Sequence, residues 1–355
     1  MHRDGSNIRN QDTYTRPRVR SERVHDGEHV TNQLPSSDAR VKLIAIMTSD
    51  TSPTTRIVTQ PTSHRNRIRG EHVVGWLFAL PALLIYTVFV LVPLLLTLVY
   101  SFVRWNGIGP MTWVGLRNYR TVLEVPDLLG TIFNAFWLVL WFSIIPVMLG
   151  LVVANVIHRV AKGRFGAAAR TILFLPQVIP LVAAGIIWGW LLSLTGLVNQ
   201  ILTSVGLGAL TRAWLGDFDT ALPAVGVIGV WVLLGFCTVL LLTGMTKVDA
   251  ALYESARMDG ASWFTEFVAI TVPLLRNEIG VCLTVTTIAA LAAFDIVYVA
   301  TGGGPGNATA VPGIQIYVLA FTQRQIGLAS ALAVMLMLLV IVVILPVQRL
   351  SRENT

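Results

Sequence analysis

The chain has 355 residues, of which 54% are apolar and 13% charged, against about 45–50% and about 25% in an ordinary soluble domain. With a mean hydropathy of +0.68, this excludes a disordered protein, a disulfide scaffold and a nucleic-acid-binding domain of the usual kind. The net charge of +7 does not mark one anion-binding face, because 12 of the 26 basic residues lie in residues 1–70.

Residues 1–70 are polar, with scattered charge and turn formers such as Pro35-Ser36-Ser37, and show no periodicity of 3.6 or 2. They predict a disordered cytoplasmic tail. No short apolar core precedes a small-residue cleavage site, so the tail does not read as a signal peptide. Met47 is a second candidate initiator, which would leave residues 1–46 untranslated; N-terminal sequencing of the native protein decides.

Six apolar runs follow, at 73–102, 131–157, 171–194, 221–245, 279–300 and 326–347. Each has the roughly 20 residues a bilayer-spanning helix needs. Barrel strands need only about 10 residues of alternating pattern, and an open strand would leave backbone groups unpaired in hydrocarbon. The expected fold is therefore all-α, a six-span domain over residues 71–348 with a short cytoplasmic tail at 349–355. Cys237 and Cys282 each lie inside an apolar run, so neither a disulfide nor a metal site is expected.

Basic residues set the orientation. With the N-terminus inside, 21 basic residues lie in inside segments and 5 in outside loops, or 9 against 5 without the tail. Both termini are then cytoplasmic. Trp105, Trp113 and Trp214 fall in outside loops near span ends, as an interfacial aromatic belt requires.

Three classes of membrane protein compete: an ion-coupled secondary carrier or channel, an embedded enzyme, and the membrane subunit of a separately powered pump. Ion-coupled carriers keep acids or bases at mid-depth; here Asp295 is the one clear intramembrane acid, with Glu278 at the inner end of the same run. An enzyme needs a cluster of nucleophile, base or metal ligands, yet all six histidines lie in the tail or at run edges. No Gly-Lys dipeptide occurs, so the chain has no P-loop to cradle ATP phosphates. Active transport would need energy from another subunit.

The inside loop 246–277 is the candidate handle for that subunit. Thr246-Lys247-Val248-Asp249 fits an [ST]-x-x-[DE] helix start, and 250–258 holds good helix formers. Asp259-Gly260 breaks the helix. Ser262 can cap a second helix from Trp263 to about Ile270, which Pro273 closes. The spacing predicts a small cytoplasmic helical hairpin.

Within it, Glu254-Ser255-Ala256-Arg257-Met258-Asp259-Gly260-Ala261, followed by Phe267, Ile270, Pro273 and Leu275, resembles the EAA signature of binding-protein-dependent ABC importer permeases. The sugar-importer form of that signature is roughly EAAxxDGAxxxxxFxxIxxPxLxP. Ser255 replaces the middle alanine and Asn277 the last proline. Further segments resemble the family in the same order: Val114-Gly115-Leu116-Arg117-Asn118-Tyr119, Arg170 to Pro176, Gly196 to Asn199, and Thr301-Gly302-Gly303-Gly304-Pro305-Gly306. The carbohydrate subfamily, maltose- and trehalose-like, is the nearest in pattern; it also contains glycerol-3-phosphate permeases, whose substrate is the runner-up.

The resemblance implies a type I ABC importer permease, multi-pass in a bacterial inner membrane, that performs no bond chemistry. It implies a second permease subunit, two copies of a cytoplasmic ATPase that hold ATP and Mg, and an extracytoplasmic solute-binding protein, with a carbohydrate as substrate and no nucleic acid. No cofactor is expected on this chain. The loop residues Glu254, Ser255, Ala256, Asp259, Gly260, Ala261, Phe267, Ile270 and Pro273 are implied to engage the ATPase. Asp295, Tyr298 and Asn199 are candidates for the solute path, although Asp295 could equally hydrogen-bond within the bundle or face water. Gly302, Gly303, Gly304 and Pro305 suit either docking of the binding protein or a simple chain turn. Asn134 and Asn155 read as interhelical hydrogen-bonding residues, and Arg159, Lys162 and Arg164 as orientation charges.

Overall fold

The computed structural model describes residues 67–160 and 163–352; residues 1–66 of the expected 1–70 tail, with Met47, the orientation charge Lys162 and the last residues 353–355 lie outside them, while 67–70 of the expected tail are helical. The chain divides into two units at residue 71, and the architecture below is that of His72–Thr355.

The first apolar run forms α1 (Arg67–Tyr86) and α2 (Val92–Tyr100), joined by a π-turn at Thr87–Leu91. A two-residue hairpin, β1 (Val103–Arg104) with β2 (Thr112–Trp113), pairs antiparallel with Val103 opposite Trp113. Then come α3 (Arg117–Glu124) and a long helix made of α4 (Pro126–Val139), a π-turn (Leu140–Ile144) and α5 (Ile145–Val160). Next are α6 (Gly163–Val178), α7 (Leu181–Leu191), α8 (Leu197–Ser204) and α9 (Ala221–Met245). The hairpin region holds α10 (Ala250–Met258), α11 (Trp263–Glu266), a π-turn (Phe267–Thr271) and α12 (Val272–Leu274). The chain ends with α13 (Arg276–Leu291), α14 (Asp295–Ala300), α15 (Pro312–Tyr317), a π-turn (Val318–Thr322) and α16 (Ile326–Arg352).

Among the described residues, four helices are long and apolar enough to cross a bilayer, or up to six if each of two bent pairs is one span. The third and fifth runs are thus not the continuous helices expected. α6 and α7 meet at 96°. Pro180 lies at that break; it has no N–H to continue the ladder and pushes Ile179 out of the helical region. The second bent pair turns by 71° between Leu274 and Arg276, ahead of the fifth run, and that run is broken at 292–294 before α14. Three of the π-turns end two residues before a proline: Pro93, Pro146 and Pro273. A proline ring displaces the carbonyl four residues back, and one extra residue in the turn relieves that clash.

α9 is the central helix. Its N-terminal half, with Val225 and Ile228, packs with Leu138, Phe142, Ile296 and Val297. Its C-terminal half, with Cys237, Leu241 and Met245, packs with Leu151, Ile157, Leu275 and Cys282. Small residues let neighbours approach closely: a Cβ at Gly229 would overlap the Phe142 ring at 2.1 Å, and one at Gly235 would meet the Leu173 carbonyl oxygen at 1.9 Å. Ser143, Thr286 and Thr287 form a buried hydroxyl cluster between α13 and the π-turn of the second run, with Ser143–Thr286 at 2.7 Å and Ser143–Thr287 at 3.0 Å.

Candidate coupling hairpin and solute path

The hairpin forms for local reasons. Asp249 caps α10, its Oδ1 accepting from the Ala251 N–H at 3.0 Å. The cap is therefore Asp249 itself, and Thr246, expected to start the helix, instead donates its hydroxyl to the Thr243 carbonyl at 2.7 Å. α10 ends in a Schellman motif: Ala261 N–H donates to the Ala256 carbonyl at 2.9 Å and Gly260 N–H to the Arg257 carbonyl at 3.0 Å, closing off otherwise orphaned carbonyls. Gly260 sits at φ +81°, as that motif demands. Ser262 then caps α11, accepting from the Thr265 N–H at 3.2 Å.

Nothing in α10 is buried. Glu254, Ser255, Asp259 and Gly260 are exposed, and Ala256 and Ala261 are half-buried. Met258 is 88% exposed and Phe264 64% exposed. By contrast the later motif residues turn inward. Phe267 stacks on Trp263 at 5.8 Å and packs against the cluster of Leu151, Ile157 and Leu241, Ile270 is half-buried and Leu275 is 1% exposed. Pro273 is exposed, two residues past the π-turn.

One buried charged residue is not singled out by the sequence. Glu266, the last residue of α11, is 2% exposed and holds two arginines. Its Oε1 accepts from Arg257 Nε at 3.0 Å, and its Oε2 accepts from Arg159 Nη2. Arg159 is on the last turn of α5, so it is more than an orientation charge. Burial alone would raise the Glu266 carboxyl, but hydrogen bonds from Arg257 and Arg159 outweigh it and hold the group below the ordinary carboxylate range. Arg159 Nε also donates to Asn155 Oδ1 at 3.4 Å. Tyr253 Oη and Thr271 Oγ1 lie 3.1 Å apart. Behind α10 a cavity of about 580 Å³ is lined by Asn155, His158, Arg159, Tyr253, Glu254 and Arg257.

At the other end of the bundle, Asp295 begins α14 and is exposed on the same side as Tyr298. Tyr298 stacks on Phe294 at 5.1 Å, meets Tyr317 edge-on at 5.6 Å, and Tyr317 lies 5.3 Å from Phe321. These four rings form a ladder that the sequence did not bring together, because Tyr317 and Phe321 lie between the fifth and sixth apolar runs, in none of the six.

Asn199 is corrected. It is 3% exposed, and its amide donates to the Ser193, Leu194 and Arg212 carbonyls at 3.0, 3.3 and 2.9 Å. Its Oδ1 accepts from Trp214 Nε1 at 2.9 Å. Its polar atoms are committed to the loop after α7 and are not presented to a solute path. Asn134 is also corrected: it donates to the Ala310 carbonyl at 2.9 Å and the Asn307 carbonyl at 3.4 Å, tethering a loop rather than joining two helices. In that loop Gly302, Gly303 and Gly306 have positive φ. Thr309 pins it, its hydroxyl 2.7 Å from the Thr301 hydroxyl and 2.7 Å from the Gly304 carbonyl. The Gly302–Pro305 stretch is thus a stapled loop.

Residues 146–353 match the family model described as "Binding-protein-dependent transport system inner membrane component". The chain is 36% identical over 273 residues to the trehalose/maltose transport system permease protein MalF of Thermococcus litoralis, covering 74% of this chain and 88% of that protein. It is 33% identical over 263 residues to the diacetylchitobiose uptake system permease protein NgcF of Streptomyces coelicolor, covering 71% and 74%. Among solved structures, a chain of a bacterial ABC transporter that imports the acidic polysaccharide alginate superposes with TM-score 0.67 at 24% identity, over 81% of this chain and 99% of that one. At that identity the likeness establishes the fold.

Proposed function

Because the chain belongs to the family of binding-protein-dependent transport system inner membrane components, we propose that it is the membrane-spanning permease subunit of an ATP-driven importer for a sugar or oligosaccharide. The observation that carries the coupling role is the hairpin. It is capped at both helix starts and turned by a left-handed glycine, yet α10 buries none of its side chains. A rigid, exposed element of this kind is built to seat in a partner. The partner is a cytoplasmic ATPase, present in two copies that hold ATP and Mg, and Glu254 meets a basic residue in its groove. Gly260, Asp259, Ser255, Ala256 and Ala261 shape the docked turn, while Phe267, Ile270 and Pro273 join it to the fifth span.

The chain crosses the inner membrane six times, with α6 and α7 together as the third span and α13 and α14 together as the fifth, and with both termini and the hairpin in the cytoplasm. A second permease subunit completes the path. An extracytoplasmic binding protein delivers the solute against the stapled Gly302–Pro305 loop. The sugar reading is supported by the transported compounds named for the curated relatives. It is supported also by the ladder beside Asp295: aromatic faces suit the C–H faces of sugar rings, and a carboxylate accepts several hydroxyl hydrogen bonds.

Reconstitution of the chain with its partner permease, ATPase and binding protein in proteoliposomes tests this. Uptake of a labelled oligosaccharide is expected only with ATP inside and binding protein outside. Uptake by the purified chain alone, without nucleotide, would overturn it in favour of a secondary carrier.

A further inference from the structure

Two consecutive elements and a third distant from both in sequence meet at one buried carboxylate. Arg159 closes α5, Arg257 lies in the last turn of α10, and Glu266 closes α11. Both oxygens of Glu266 are used, one by each guanidinium. α10 itself buries no residue, and a cavity of about 580 Å³ lies between it and the end of α5; the hairpin's apolar contact with α5 comes further on, where Phe267 joins the cluster of Leu151 and Ile157. The tilted His158 and Tyr253 rings, 6.5 Å between centroids, and the Tyr253–Thr271 pair at 3.1 Å also lie beside α10.

We infer that Arg159, Glu266 and Arg257 form a strut that makes the coupling hairpin and the inner end of α5 move as one body. This rests on the importer reading above and extends it. The hairpin is covalently continuous with the fifth span, through α12 and α13, so that route for a pull is built into the chain. The strut adds a second route, into the α4–α5 helix, which packs along α9 at the centre of the bundle. The carboxylate is the buried member of the cluster, so separating it from the guanidiniums strands its charge away from water, and the contact favours being fully made. That property suits transmission of a stroke between packed elements that shift as discrete units. Glu266 is thus a positioning residue: it touches no solute and acts through the arginines it holds.

The experiment uses the whole complex and the double variant Arg159→Cys/Glu266→Cys. Removing the buried Glu266 together with the half-buried Arg159 leaves only Arg257, 56% exposed and able to hydrate, and the two native cysteines, Cys237 and Cys282, are buried. Uptake and ATP hydrolysis are measured together, before and after bridging the new thiols with a short bismaleimide. In the unbridged variant the ATPase still co-purifies and hydrolyses, but solute imported per ATP falls by about tenfold or more, the ratio of a 1.4 kcal/mol change. Bridging restores it. Wild-type stoichiometry without the bridge, or a low ratio that bridging does not rescue, overturns the strut. Should the double variant fail to insert, Glu266→Gln keeps the shape and removes the charge. It must lower import per ATP without releasing the ATPase, and an unchanged ratio overturns the strut equally. ATP-independent uptake by the wild-type complex would instead remove the importer reading itself, leaving the two failures distinguishable.

Discussion

Gly260 offers the sharpest test of the hairpin, because its requirement is conformational and nothing else. It occupies the C′ position of the Schellman motif that ends α10, at φ +81°. A Cβ built there meets no atom within 4 Å, so Gly260→Ala incurs no clash and only the left-handed penalty, about 1–2 kcal/mol. That corresponds to roughly a 5- to 30-fold shift in a two-state population, here between the turned hairpin and a frayed one. Gly260→Asn costs less, since asparagine is the other residue that occupies this position routinely. Gly260→Pro is different in kind. The ring holds φ near about −65°, on the opposite side of the map, and it removes the N–H that donates to the Arg257 carbonyl at 3.0 Å. The turn cannot close at all.

The expected order of coupling is therefore glycine, asparagine, alanine, then proline last by a wide margin, with membrane insertion unchanged throughout. The assay is ATPase co-purification together with solute-stimulated hydrolysis, read across a titration of the ATPase subunit so that a weakened contact appears as a shifted midpoint. Alanine as damaging as proline would refute the reasoning, since it would mean that space rather than backbone angle matters at a site where no neighbour lies within 4 Å. A fully coupled proline variant would show that the turn plays no part in docking.

Charge reversal by Glu254→Arg, at an exposed position of α10, should weaken coupling while leaving folding intact; unchanged uptake and solute-stimulated hydrolysis would show the acid dispensable. Asn199→Ala strands the Trp214 N–H and the Leu194 and Arg212 carbonyls, while the Ser193 carbonyl keeps the Gly196 N–H, and should lower the thermal stability of the detergent-solubilised protein by about 1–3 kcal/mol without altering the apparent solute affinity of transport. The reverse pattern would return Asn199 to the solute path. Gly235→Ala forces a Cβ to within 1.9 Å of the Leu173 carbonyl oxygen, so α9 and α6 must part, at a cost of at least about 1–3 kcal/mol. Gly189→Ala, with no atom within 4 Å, should be neutral or stabilising by up to about 1 kcal/mol; equal melting temperatures for the two variants would contradict the close helix crossing.

What was legible in the sequence is what neighbouring residues decide among themselves. The apolar runs follow from composition, and the hairpin from Asp249, Gly260 and Ser262, each acting on backbone groups two or three residues away. Even there the start signal was ambiguous, because Thr246 and Asp249 are both capping types and only the local backbone selects between them. Some missed features also had local signals. Pro180 and the π-turns before Pro93, Pro146 and Pro273 follow from proline's missing N–H and its clash with the preceding turn. Others had none. Asn199 takes its role from Arg212 and Trp214, 13 and 15 residues on, and Glu266 takes its role from Arg159, 107 residues back. The one hint at Glu266 was an acid between Phe264 and Phe267 in an otherwise weakly charged stretch. A carboxylate in such a place must find a cation or lose its charge, and the spacing along the chain does not say which cation. The hairpin's shape is therefore a local property, whereas its grip on the second span is a tertiary one, and single substitutions at Gly260 and at Glu266 should fail in different ways: the first by loss of the ATPase, the second with the ATPase still bound.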